Sequence, residues 1–203
     1  VLNNVSEDCV VLDFGSTKHK ISKLANSFEN RYQFVACHPI AGTENTGPDA
    51  AFASLYDGKV NIICDKESSS EEALNIAEDL TKALGLRTKY MTSEAHDRHI
   101  AYVSHMSHVS SFILGQTVLE VEQDEDNIFD MAGSGFASTV RLAKSSPEMW
   151  APIFSENADN VLQVVDHYIK NLKRFRSLIE ERNESELKKI MSNTNLIRKV
   201  LGQ

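Results

Sequence analysis

The chain has 203 residues, 41% of them hydrophobic and 25% charged, a globular balance with room for one or two domains. Its 21 basic and 29 acidic residues give a formal charge of −8, the wrong sign for a nucleic-acid partner. No apolar run approaches the ~18 residues a bilayer span needs, so no membrane partner is expected.

The chain opens on Val1 rather than Met and in mid-pattern, so the natural N-terminus is expected to lie upstream. Cys9–Leu12 is a short apolar strand, followed by Asp13, Phe14, Gly15 and Ser16. Thr17–Phe28 carries Ile21, Leu24, Ala25 and Phe28 at helical spacing. Gln33–Cys37 is a second buried strand. The proline after His38 biases that residue toward extended geometry, so His38 should sit at the strand's C-terminal tip. Val60–Cys64 is a third strand, after a loop through Gly58. Ser68–Ser70 with Glu71 and Glu72 starts a helix to Leu84, with Gly85 as its C′ residue. Leu86–Met91 is a last strand. The β-α-β-β-α-β order predicts a layered, largely parallel sheet. Cys9, Cys37 and Cys64 flank or close these strands without metal spacing, as free thiols of a reducing compartment do; a cytoplasmic location follows as the expectation.

After Thr92 and Ser93 the pattern turns helical. Ser93–Val121 is expected as one long helix. Shorter ones are expected at Asp126–Met131 and Ser138–Lys144, and a second long one at Pro152–Glu181. Asn183, with Glu186 three residues on, restarts a helix to about Leu201. The fold class is therefore α/β plus all-α: a partial, mainly parallel sheet domain over 1–92 and a helical domain over 93–203. Its two long apolar-striped helices exceed what a small domain can bury, which favours a dimer.

Three constellations could carry chemistry. In Asp13–Lys20 (DFGSTKHK), Gly15 permits a tight turn, and Ser16 and Thr17 are placed to cap the helix. The free N–H groups there could face an anionic or hydroxyl ligand; an ordinary capped turn explains the same residues. His38 sits where open α/β sheets bind ligands, and its side chain titrates near neutral pH; position alone leaves a plain turn histidine equally open. His96, His99, His105 and His108 suggest a metal site. At about 100° per residue, however, the first two and the last two point to nearly opposite sides of a straight helix. With no recognised metal spacing beside them, no metal is expected. Arg141, flanked by Val140, Leu142 and Ala143, requires an anionic partner, whether a substrate or a surface carboxylate. Gly133-Ser134-Gly135 reads as a flexible connector before it.

The segments DFGSTK, HPIAGTENTG, HDRHIAYVSHMSH and GSGFASTVRLAKSSPEMW, in this order, resemble the prephenate dehydrogenase family over essentially the whole chain. The resemblance implies a Rossmann-type domain followed by a helical dimerisation domain, giving a homodimer. It implies NAD or NADP as cofactor and prephenate as substrate, oxidatively decarboxylated to 4-hydroxyphenylpyruvate in tyrosine biosynthesis. His38 is then the catalytic base. Ser16 holds the substrate hydroxyl and the nicotinamide end, and Arg141 clamps the ring carboxylate. His96 and His108 face the substrate side chain or Glu44. Trp150 lines the site, from its own chain or a partner's. Asp13, Gly15, Ser16 and Pro39 lie against the cofactor. Two departures stand out. Ser107 occupies a place where the family often has proline, which leaves the helix without a proline kink. No G-x-G-x-x-G follows a first strand, so the 203 residues alone are expected to bind NAD(P) poorly and turn over little. An arogenate dehydrogenase remains open, as does a catalytically silent helical dimerisation module.

Overall fold

The computed structural model of the protein describes residues 1–45, 47–122 and 128–201. It forms two compact units, Val1–Val161 and Leu162–Gln203. Four strands build one sheet in the order β1 (Val11–Asp13), β2 (Phe34–Pro39), β3 (Val60–Cys64), β4 (Arg87–Met91). β1–β2 and β3–β4 are parallel, whereas β2–β3 is antiparallel, pairing His38 with Ile62 and Pro39 with Asn61. The antiparallel step has a simple cause. A parallel return needs a crossover, usually a helix, and among the described residues of 40–59 the one helical element is a 3₁₀ turn, Pro48–Ala50.

β2 is the centre of the unit. Successive side chains of a strand face opposite ways, so Phe34 and Ala36 pack with Leu2 and Ala25 on one face. Val35 and Cys37 pack with Ile63, Ala73 and Ala77 on the other. The first face is covered by α1 (His19–Ala25) and the second by α2 (Glu71–Ala83). By the same alternation His38 faces the α1 side. Burial pushes the Cys37 and Cys64 thiols up to about 11 and 12, so they behave as core hydrophobes.

Helix α2 begins where expected, with the Ser70 hydroxyl accepting the Ala73 N–H at 3.1 Å. Gly85 follows it at φ +72° as the C′ residue. The predicted helix at residues 17–28 is shorter than expected. It starts at His19, and neither Ser16 nor Thr17 caps it; its N-cap, Lys18, makes no side-chain cap bond either.

The helical part departs from the sequence reading in three ways. The single helix from Ser93 is interrupted: α3 (Ser93–Ile100) passes through a π-helical segment, Ala101–His105, into α4 (Met106–Glu122). Gly133 is the N-cap of α5 (Ser134–Thr139) rather than part of a connector, and Arg141 opens a separate 3₁₀ turn, Arg141–Lys144. The second long helix starts five residues early, because Pro147 occupies the favourable first turn after the capping Ser146. It then breaks at Asn157 into α6 (Pro147–Glu156) and α7 (Ala158–Glu180). The helix expected at Asp126–Met131 lies partly outside the described residues; Phe129–Met131 is a 3₁₀ turn.

The second unit holds most of α7, then α8 (Glu184–Thr194) and α9 (Arg198–Leu201). Asn183 caps α8 by accepting the Glu186 N–H at 3.2 Å, as its spacing predicts. Leu162, Ile169, Leu172, Ile179 and Ile197 are exposed apolar residues of this unit. Among the described residues no helix is long and apolar enough to cross a membrane.

Gly85 is the sharpest test of this framework, since a Cβ there would stand 3.2 Å from the Asp57 carboxylate in a left-handed backbone. Gly85→Ala is expected to cost about 1–2 kcal/mol in a urea titration; an unchanged midpoint would contradict the assigned turn.

Candidate active site

β1 and β2 run parallel, so Asp13, His38 and Pro39 reach the same edge of the sheet. A cavity of about 880 Å³ opens there, within the first unit. Ser16 and His38 line it from the sheet side; His105, His108, Arg141 and Trp150 line it from the helical side.

The feature that orders this edge is a chain of hydrogen bonds through Asp97. The first N–H groups of a helix have no partner in their own helix. Here the Lys18 and His19 N–H groups donate to the two carboxylate oxygens of Asp97 on α3, at 2.7 and 2.8 Å. The helix start expected to face a ligand is therefore already occupied. Asp97 Oδ1 also lies 2.8 Å from His96 Nδ1, and His96 Nε2 lies 2.8 Å from His38 Nδ1. A carboxylate only accepts, so His96 carries its proton on Nδ1. Its Nε2 then accepts from His38 Nδ1–H, which leaves His38 Nε2 as a bare acceptor.

The electrostatics agree. Burial drives the His38 pKa down to about 3, reinforced by His96, the Lys18 ammonium and His105. Burial raises the Asp97 carboxyl, but the His96 bond and the two helix N–H groups outweigh it and hold it below its usual value. Lys18 is fully buried and pairs with Asp13, which also accepts the Gly15 N–H at 3.1 Å.

The π segment explains how the histidines converge. It takes one residue more per turn than an α-helix, so everything beyond it is set back by about 100°. His108 then lies within about 20° of His96 rather than 120° away. The straight helix assumed from the sequence placed the two pairs on opposite sides. His99 remains exposed. Among the described residues no group of three His, Cys, Asp or Glu is arranged to hold a metal ion.

His96 itself is buried, bridging His38 and Asp97 rather than facing the cavity. His108 stacks on Trp150, with ring centroids 3.4 Å apart, and its Nδ1–H donates to the Ser104 carbonyl at 3.0 Å. Burial, ahead of other causes, lowers the His108 pKa. Trp150 reaches the cavity of its own chain. Glu44 pairs with Arg141 at 2.6 Å rather than with His96 or His108. Of the four residues expected against a cofactor, Ser16 lines the cavity. Asp13 and Gly15 form the turn behind it, and Pro39 is buried at the end of β2.

Two participants, Asp97 and Asn157, escape the sequence reading, and a third, His105, is grouped there with the other histidines but given no role. Asp97 adjoins His96, but its partners on α1 are 78 and 79 residues away. Asn157 and His105 meet at 3.2 Å across 52 residues. The histidine spacing was the one available signal for His105, and the π segment disguised it.

A sheet edge covered by helices, with a histidine and a guanidinium on one cavity, is where open α/β folds bind their ligands. The family described as prephenate dehydrogenase, nucleotide-binding domain, matches residues 1–90, and that described as prephenate dehydrogenase, dimerization domain, matches residues 92–193. Cyclohexadienyl dehydrogenase of Zymomonas mobilis is 32% identical over 176 residues, covering 86% of this chain and 60% of that protein. The crystal structure of prephenate dehydrogenase from A. aeolicus in complex with hydroxyphenyl propionate and NAD+ superimposes with a TM-score of 0.88. It is 33% identical and covers 98% of this chain and 70% of that one. The Synechocystis arogenate dehydrogenase structure gives a TM-score of 0.78 at 25% identity, covering 98% and 72%. The chain belongs to the prephenate dehydrogenase family.

His38 and His105, the latter lowered by burial to about 4, are neutral in the fold, whereas an unfolded histidine titrates near 6.5. Between these values the unfolded chain binds more protons. Stability is thus complete above about pH 6.5 and falls as pH drops toward the folded pKa values, by up to about 1.4 kcal/mol per pH unit for each group. Urea titrations from pH 7 to 4 should show this slope, and His38→Gln should make it shallower. Equal slopes in the two proteins would contradict the assigned burial.

Proposed function

We propose that the full-length protein is a prephenate dehydrogenase: it oxidatively decarboxylates prephenate to 4-hydroxyphenylpyruvate with NAD or NADP. The observation that carries this reading is the bare Nε2 of His38 in a cavity that also holds Ser16 and Arg141. The substrate is a cyclohexadiene with a ring hydroxyl at one end and carboxylates at the other. His38 Nε2 accepts the hydroxyl proton as the ring carbon loses its hydride. Ser16 hydrogen-bonds the same hydroxyl, and Arg141 holds the ring carboxylate by two parallel N–H···O bonds. Carbon dioxide then leaves, its bonding electrons completing the aromatic ring, and the ring oxygen takes back the proton held on His38. The chain's task is orientation and deprotonation.

The residues fit the nicotinamide end of a dinucleotide, where Ser16 and His38 share the cavity. The α1 N–H groups that could take a pyrophosphate are bonded to Asp97 instead. When bound, the nicotinamide supplies the hydride acceptor. The exposed apolar residues of α7 and the dimerization-domain match support a homodimer through the helical part.

Arogenate is the second reading, favoured by Glu44, whose carboxylate beside Arg141 suits an ammonium on the substrate side chain. Rates of the full-length protein on the two substrates separate the readings. His38→Asn in that protein is expected to lower turnover by about 10²–10⁴ while leaving NAD affinity near normal. Unchanged turnover would reduce His38 to a turn residue.

A further inference from the structure

We propose that Asn157 holds His105 in the tautomer that presents an N–H to the cavity. His105 then donates a hydrogen bond to an oxygen of the substrate, and Asn157 is its positioning residue. The substrate part of this rests on the functional reading above.

His105 lines the cavity yet is only 1% exposed, and Asn157 is 4% exposed. Asn157 Nδ2 donates to the Asp97 carbonyl at 2.7 Å, which fixes the amide's orientation. Its Oδ1 is engaged by Asn160 Nδ2 at 2.8 Å, so a flipped amide would lose both bonds. The second hydrogen on Asn157 Nδ2 points to His105 Nδ1, 3.2 Å away. His105 Nδ1 must therefore be unprotonated, and the ring proton sits on Nε2. The ring cannot turn over cheaply. Trp150 and Phe154 pack against it in T-shaped contacts at centroid distances of 5.9 and 6.5 Å, both at 82°. Turning it would also strand the Asn157 donor in a buried setting. Burial keeps His105 neutral, so the two ring nitrogens stay distinct at neutral pH.

Asp97 thus sets two histidines in opposite senses. Through its carboxylate and His96 it leaves His38 an acceptor; through its carbonyl and Asn157 it leaves His105 a donor. A substrate that surrenders a proton at one end and carries anionic oxygens at the other needs such a pair. The break between α6 and α7 at Asn157 then has a purpose. It frees this side chain to reach α3 and the π segment.

The test uses the full-length protein. Long-range ¹H–¹⁵N spectra of the histidine rings should show His105 protonated on Nε2. In Asn157→Asp the new carboxylate should draw the proton to Nδ1. The KM for prephenate should then rise about tenfold or more, with kcat changed much less, as expected for a lost bond to an anionic oxygen. His105→Leu should raise KM in the same way. His105→Gln, whose amide N–H lies where Nε2 was, should keep it near the wild-type value. Wild-type His105 protonated on Nδ1 would overturn the Asn157 assignment. An unchanged KM in His105→Leu would overturn the donor role, whatever Asn157→Asp does to folding. Wild-type protein inactive on both prephenate and arogenate would sink the functional reading and the substrate-donor role with it. The tautomer spectra, which need no substrate, would separate that result from a failure of the Asn157–His105 pair.

Discussion

The carboxylate of Asp97 joins the two halves of the site. It stands at the N-terminus of α1, where two backbone N–H groups would otherwise be unpaired, and it receives the ring proton of His96. A carboxylate in this place is stabilised by the helix dipole as well as by the two bonds. It also locks α3 to α1, the helix that covers the His38 face of the sheet. Removing it would leave a helix end and a buried imidazole unsatisfied together, a combination that costs more than either loss alone.

From that anchor the chemistry follows in short steps. His38 is held neutral by burial and by the cationic neighbour Lys18, so it is ready to accept a proton at any ordinary pH.

Much of this was legible in the sequence, and the gaps have physical causes. Ser70, Gly85 and Asn183 announced their helix ends, because caps are local chemistry read over three or four residues. The buried strand at Gln33–Cys37 was likewise local, whereas the face that His38 takes comes from the packing of Phe34 and Ala36 on one side and Val35 and Cys37 on the other. The cap of α1 was misassigned to Ser16 and Thr17 because the real one comes from a residue 78 and 79 positions away. The π segment left no proline or glycine to betray it, so the helical phase was miscounted beyond Ile100. Arg141 was expected to find an anion, and it has one in Glu44, yet its place in a 3₁₀ turn rather than a helix followed from where α5 begins. Asn157 read as one more polar residue of a long helix, since its function depends on contacts with Asp97 and His105.

Neutron diffraction from perdeuterated full-length protein, crystallised near neutral pH, would locate the protons on which all of this turns. The account predicts deuterons on His96 Nδ1 and His38 Nδ1, with His38 Nε2 bare toward the cavity. A deuteron on His38 Nε2, with His96 carrying two, would contradict it and remove the proton acceptor from the site.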